Sequence, residues 1–185
     1  MSRFSIRATA REQARVLPGD DFIPNAVEAI THAATVRCPA GKLWPWLAQM
    51  GAGRAGWYSY DWIDNGRRRS AERIVPALQN PSVGSIFPAL PGRWEGFVLA
   101  AQEANHWLVL GWPAERGGYD ATWAFVLDEI QPGATRLVVR VRVGPDYRFQ
   151  GVQGGLGLWL ARLVHFFMQR KQLVGIASRA ERLAS

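Results

Sequence analysis

Between residues 83 and 143 the chain passes through five short stretches of apolar and β-branched residues, with only turns between them. They cover 83–88, 94–101, 106–112, 121–130 and 135–143. Pro91-Gly92, Glu103–Asn105, Gly117-Gly118 and Pro132-Gly133 supply the turn chemistry. A parallel pair needs a crossover of a dozen residues or more, and these gaps are far shorter. The stretches must therefore pair as an antiparallel meander. In the last of them Leu137, Val139, Val141 and Val143 alternate with Arg136, Arg140 and Arg142. The valine face is predicted to be packed and the arginine face wet. The same alternation puts Trp123, Phe125 and Leu127 inside.

What flanks the meander limits the architecture further. No proline occurs from about 155 to 183, and Trp159, Leu163, Phe166 or Phe167, Arg170, Leu173 or Val174 and Ala177 recur at helical spacing. Before the meander, residues 27–37 read as a strand, with Ile30, His32, Ala34 and Val36 on its inner face. Pro39 then opens a helix over 40–50, which presents Leu43, Trp44, Leu47 and Met50. Two shorter helices are expected at 63–69 and 71–78. The sheet cannot lie flat on one long helix and still bury Trp123, Phe125, Leu137 and Val139. It must curl round that helix, and a curled sheet leaves space on its concave side. The expected fold is α+β: a curved antiparallel sheet wrapped around a long C-terminal helix, with short helices between strands 1 and 2. Residues 1–24 read as an arm with one helical turn, and residues 25–185 as one domain.

Composition excludes several functions. The chain carries 22 Lys+Arg against 15 Asp+Glu, a net +7. Its arginines are spread along the sequence, and the one dense run, Arg67-Arg68-Arg69, falls on a loop. That is a solvated surface, so no nucleic-acid partner is expected. Cys38 is the only cysteine, so no internal disulfide can form, and a reducing, cytoplasmic setting is expected. The weakly polar run 151–168 is broken by Gln153, Arg162 and His165, which argues against stable membrane insertion. His32, His106 and His165 lack ligand spacing, so neither a metal nor another cofactor is expected. Gly151, Gly154, Gly155 and Gly157 lack a phosphate-loop ending and read as a lead-in to the long helix. The sequence sets no oligomeric state.

Several motifs resemble a known superfamily. Leu17-Pro18-Gly19-Asp20 is similar to its leader before the first strand. Val36-Arg37-Cys38-Pro39-Ala40 through Leu43-Trp44-Pro45-Trp46-Leu47 resembles its entry into the first helix. Gln49-Met50-Gly51 and the loop Gly53-Arg54-Ala55-Gly56-Trp57-Tyr58-Ser59-Tyr60-Asp61-Trp62 resemble its glycine-aromatic loop. Glu72-Arg73-Ile74 with Pro76, Thr122-Trp123-Ala124-Phe125 and the run 168–176 complete the likeness. The superfamily is that of helix-grip domains: START-like proteins, aromatic polyketide cyclases and the birch-pollen-allergen class. The nearer likeness is to the bacterial branch known as SRPBCC or polyketide cyclase-like proteins. Cys38 departs from the small residue usual at its position. The resemblance implies the helix-grip fold but leaves activity open, since one such fold hosts carriers, cyclases and sensors.

Nine tryptophans and few inward ionisable groups point to a small hydrophobic ligand, aromatic or acyl, held between sheet and helix. Trp44, Trp57, Tyr58, Tyr60, Trp123, Phe125 and Phe167 would form its walls, with Arg170 at the edge. Buried, Arg170 would need Asp61, Glu72 or Glu95 as partner. An enzyme acting on a carbonyl substrate is the alternative. His32 or Asp61 would serve as base and Tyr58 or Tyr60 as hydrogen-bond donor. Asp61 is equally suited to cap the short helix that follows it. A third alternative is a structural or interaction domain whose core is filled.

Overall fold

The computed structural model describes residues 5–92, 95–147 and 155–184, of which 155–165 by backbone alone. Six antiparallel strands form one sheet: β1 (Glu28–Val36), β2 (Ile86–Pro88), β3 (Gly96–Glu103), β4 (Trp107–Pro113), β5 (Tyr119–Gln131) and β6 (Ala134–Val143). Their spatial order is β1-β6-β5-β4-β3-β2. The meander is therefore intact, and β1 closes its far side by pairing with β6, Ile30 opposite Val141 and Ala34 opposite Leu137. Register shifts after Leu99, Trp112 and Glu129 add local twist. The sheet curves around the long helix, as in helix-grip folds. Among the described residues there are also four α-helices, α1 (Ala10–Ala14), α2 (Ala40–Ala48), α3 (Asp61–Asp64) and α4 (Gly155–Ala184), and two 3-10 turns. No described helix is long and apolar enough to cross a membrane.

The concave face carries the main core. Val36, Leu99, Leu108, Leu110, Phe125, Leu137 and Val139 meet Leu43 and Leu47 of α2 and Leu173, Ile176, Ala177 and Ala180 of α4. Pro45 lies inside α2, within a helix short enough to lose one bond there. Expected positions Trp159, Leu163 and His165 (as side chains), the lead-in glycines 151 and 154, and Trp94 lie outside the described residues.

Four expectations are corrected. The second strand is three residues long, because Val83 and Gly84 are used in a turn in which Ser85 N–H reaches the Ser82 carbonyl. The helix expected over 63–69 is α3 followed by a turn. The one expected over 71–78 shrinks to a single 3-10 turn at Pro76–Leu78, where proline removes a donor.

The fourth correction concerns the arginine face. It is not wet. The N-terminal arm lies across it, and Ala8 and Leu17 pack with Ala33, Val126 and Val138 into a second apolar cluster. The arm runs so close that a Cβ on Gly19 would sit 2.6 Å from Val109. Thr9 and Glu12 form a reciprocal cap at the start of α1. The end of α1 leaves carbonyls without helical partners. Arg140, 4% exposed, takes up three carbonyls there: Glu12 and Gln13 at 2.8 Å and Arg15 at 2.9 Å. Its other N–H groups reach Asp20 Oδ2 at 2.7 Å and Thr31 Oγ1 at 2.9 Å. All five guanidinium donors are thereby spent. Arg136 binds Glu12 at 2.7 Å and holds its carboxyl down at about 2.

Removing one side of a buried pair costs about 3 kcal/mol or more. Arg140→Met should therefore lower stability by about that amount in denaturant melts. Arg116→Met, on an exposed loop, should change it by less than about 0.5 kcal/mol.

Candidate functional site

Between α2 and α3 the chain makes a tight glycine turn, with Gly51 and Gly56 paired through both backbone bonds at 2.9 and 3.2 Å. The aromatic run then divides. Trp57 turns toward the sheet, where its Nε1–H donates to the Pro88 carbonyl at 3.1 Å. Tyr58 sits at φ 59°, which an aromatic residue rarely adopts. Several contacts hold it there. Its N–H donates to Ser70 Oγ at 3.1 Å, Gln49 Nε2 donates to its hydroxyl at 2.9 Å, and Arg179 lies 5.0 Å from its ring centre. Its carbonyl faces Gly175 of α4 so closely that a Cβ there would approach to 2.3 Å. Only glycine lets helix and loop meet at this point.

Asp61 does not cap α3 with its side chain. Its carboxylate accepts from Ser70 N–H at 2.9 Å and Ser70 Oγ at 2.5 Å. Ser70 thus links Asp61 to Tyr58. The Tyr58 hydroxyl is 2% exposed with its residue and belongs to a network in which Gln49 also binds Val75 and Gln79. Burial raises its pKa above the usual phenol range. Tyr60 is half-buried, and its carbonyl starts α3 by accepting from Ile63 and Asp64. Trp44 is core, 7% exposed.

The concave face is not covered evenly. Leu99, Leu108, Leu110, Phe125 and Leu137 have no exposed surface. Toward one end, Ile30, Val141, Trp123, Trp112 and Phe97 are only half-buried. The rings there pack on one another. Trp57 stacks on Trp123 at 5.4 Å, and Phe97 lies 5.4 Å from Trp123 and 5.3 Å from Trp112. Phe125 lies 5.0 Å from Trp123 on the buried side. Trp123 Nε1–H donates to Gln169 Oε1 at 3.0 Å, and Gln169 Nε2 donates to Gln172 Oε1 at 2.9 Å. Gln172 Nε2 lies 3.7 Å from Met50 Sδ, a weak acceptor. One register row along, His32 is half-buried with its ring 5.8 Å from Phe166, and burial lowers its pKa.

Of the expected wall, the structure brings Trp57, Trp123 and Phe125 together. Phe167, 57% exposed, and Arg170, also exposed, are on the outer side of α4. The α4 face toward the sheet runs through Gln169, Gln172 and Ile176 together with the expected Leu173 and Ala177. Glu72, offered as a partner for Arg170, is bound by Arg179 and Arg182 at 2.6 Å. Phe97, Trp112, Gln169 and Gln172 were not among the expected residues. The i, i+3 spacing of two amides on the apolar stripe was the one signal of the last pair.

Asp64 was missed as well. It is 3% exposed, and neither carboxyl oxygen has a well-aligned hydrogen bond. The nearby Ser59 hydroxyl donates to the Met168 carbonyl at 3.2 Å and helps Asp64 little. Burial, reinforced by the neighbouring Asp61 charge, pushes the Asp64 pKa up to about 7. Among the described residues no three His, Cys, Asp or Glu side chains cluster as metal ligands would.

No family model and no curated protein sequence matches the chain. Solved structures do. A structural-genomics target from Mesorhizobium loti is similar over 84% of this chain and 98% of its own, at 14% identity and TM-score 0.51. A protein from Bordetella parapertussis is similar over 96% and 84%, at 18% identity and TM-score 0.46. Norcoclaurine synthase from Thalictrum flavum is similar over 97% and 98%, at 15% identity and TM-score 0.44. The first supports the fold. The other two are too distant to add to it.

Two outcomes follow from this geometry. Gly175→Ala should cost at least about 2 kcal/mol of stability, read by thermal melting, because the clash is with backbone. Folded Asp64 keeps a proton that the unfolded chain releases from about pH 4 upward. Its contribution is therefore most favourable below pH 4 and is lost as pH rises to about 7. Asp64→Asn should remove that slope, gaining at most about 4 kcal/mol over the wild type at pH 8 relative to pH 4.

Proposed function

We propose that this protein binds a small hydrophobic molecule, aromatic or acyl, at the less covered end of the concave face. One observation supports it above the rest. Phe97, Trp112 and Trp123 point to the core side of the sheet, yet remain half-buried while Leu99, Leu108, Leu110 and Phe125 on the same face have no exposed surface. Large aromatic surface left open beside buried amides suits a ligand with an apolar body and few polar groups. Trp57 and Phe125 would back the wall, and Gln169 and Gln172 would be its polar handles. Tyr58 and Asp61 are engaged in holding the loop, which leaves them little part in the contact. Cytoplasmic residence fits a lone Cys38 whose thiol burial pushes up to about 11, far from reactive.

A second reading, general-base catalysis by His32, has one point in its favour. Its lowered pKa keeps the ring neutral near pH 7 and able to accept a proton. His32→Ala should then abolish turnover of a carbonyl substrate with little change in melting temperature.

For the binding reading, indole, naphthalene and decanoate should each be titrated while tryptophan emission is followed. At least one should shift or quench it saturably. Trp123→Ala should weaken that binding at least about tenfold, as loss of a ring contact does. A folded sample that responds to none of the three would end this proposal.

A further inference from the structure

Within residues 61–70, Trp62, Ile63 and residues 66–69 form an exposed corner. Trp62, 69% exposed, is the most exposed aromatic side chain among the described residues, and Ile63 beside it is 43% exposed. Arg67, Arg68 and Arg69 follow, all exposed. Several described arginines are tied to carboxylates. Arg15, Arg37, Arg136, Arg140, Arg142, Arg179 and Arg182 all pair with carboxylates. Arg67, Arg68 and Arg69 have no such partner among the described residues, and they are the one place where three arginines follow one another. The local acids cannot neutralise them: Asp61 is held by Ser70, Asp64 is buried, and Glu72 is taken by Arg179 and Arg182.

The corner is also built rather than loose. Asn65, 3% exposed, accepts from Gly53 N–H at 3.0 Å and donates to the Arg68 carbonyl at 2.8 Å. Arg67 N–H reaches the Asp61 carbonyl at 2.8 Å, and Arg67 takes φ 65°. A residue in that left-handed region is held there by its surroundings. A second exposed set, Phe167, Arg170 and Lys171, lies on α4 beside Met168, whose carbonyl takes the Ser59 hydroxyl two residues before Asp61.

We propose that the corner Trp62–Ile63 with Arg67–Arg69 docks this protein on anionic lipid surfaces. Three unpaired guanidinium groups complement anionic headgroups. Tryptophan favours the headgroup level, where its ring is apolar and its N–H is wet. Ile63 decides between partners: an aliphatic side chain gains by entering the acyl boundary and gains nothing from a phosphodiester backbone. The attachment is peripheral and reversible.

Cosedimentation with phosphatidylcholine vesicles, with and without about 30% phosphatidylserine, tests this at low salt. Binding is expected only with phosphatidylserine and should vanish at about 0.5 M salt. The triple change Arg67→Gln, Arg68→Gln, Arg69→Gln should weaken it at least about tenfold, and Trp62→Ser about threefold. Melting temperature checks that both remain folded. If the triple variant melts early, Trp62→Ser, at a solvent-exposed position, carries the test alone. Equal binding to neutral vesicles, no binding to either, or no loss in the variants would overturn the proposal. So would tighter binding to a single-stranded oligonucleotide that Trp62→Ser leaves unchanged.

Discussion

A sheet that is apolar on both faces must be covered on both, and this requirement shapes the whole chain. The concave side is met by α2 and α4, as five meander strands and one long helix would lead one to expect. The convex side is met by the arm, and there the means is polar. Arg140 sits mid-strand between Val139 and Val141, a position where a charge would be costly if left alone. It is not left alone, because α1 ends beside it and offers carbonyls that need donors. Each side satisfies what the other could not satisfy by itself. The small apolar cluster of Ala8, Leu17, Ala33, Val126 and Val138 would be a poor anchor without that bond set.

The candidate site depends on an equally tight contact on the other face. Gly175 lets α4 touch the Tyr58 carbonyl, so helix and loop share one position. Gln49, Ser70 and Asp61 then fix the loop, and Trp57 is carried onto Trp123. The C-terminal part of α4 packs on the concave face through Leu173, Ile176, Ala177 and Ala180. Among the described residues, rings and amides face the other end. The polar groups near the aromatic loop serve mostly to hold this arrangement. That is why residues that looked chemical in isolation, Tyr58 and Asp61, turn out to be occupied.

The fold was legible because its signals are local. Strand alternation, turn residues and the gap lengths of the meander are all read within a dozen residues. What was not legible was partnership over distance. Alternating arginines on β6 read as a wet face, since nothing near them in sequence reveals acceptors some 125 residues earlier. The same holds for Asp61, whose partner Ser70 replaces a cap, and for Asp64, whose burial follows from how α3 packs rather than from its neighbours. On α4 the error was one of phase. Phe167 and Gln169 differ by two positions, about 200° around a helix. Aromatic content favoured Phe167 and Arg170, but packing chose Gln169 and Gln172, while Leu173 and Ala177 of the expected stripe are core. Hydrophobicity misled because two glutamines were hidden on the inner face.

Those glutamines bear on whether the core is merely filled. Trp123 gives its N–H to Gln169, and Gln169 gives one to Gln172. The chain then ends on a thioether, which accepts weakly. A buried amide that ends on sulfur has donor capacity left over. In a core under no demand but stability, two leucines there would be cheaper, since a polar group gains little by burial without full bonding. Keeping amides beside rings that are themselves only half-covered is easier to understand if something else completes the set. A carbonyl on an otherwise apolar molecule would meet the spare donor, while its body covered Trp112, Trp123 and Phe97. The same two deficits, one polar and one apolar, would be met by a single guest.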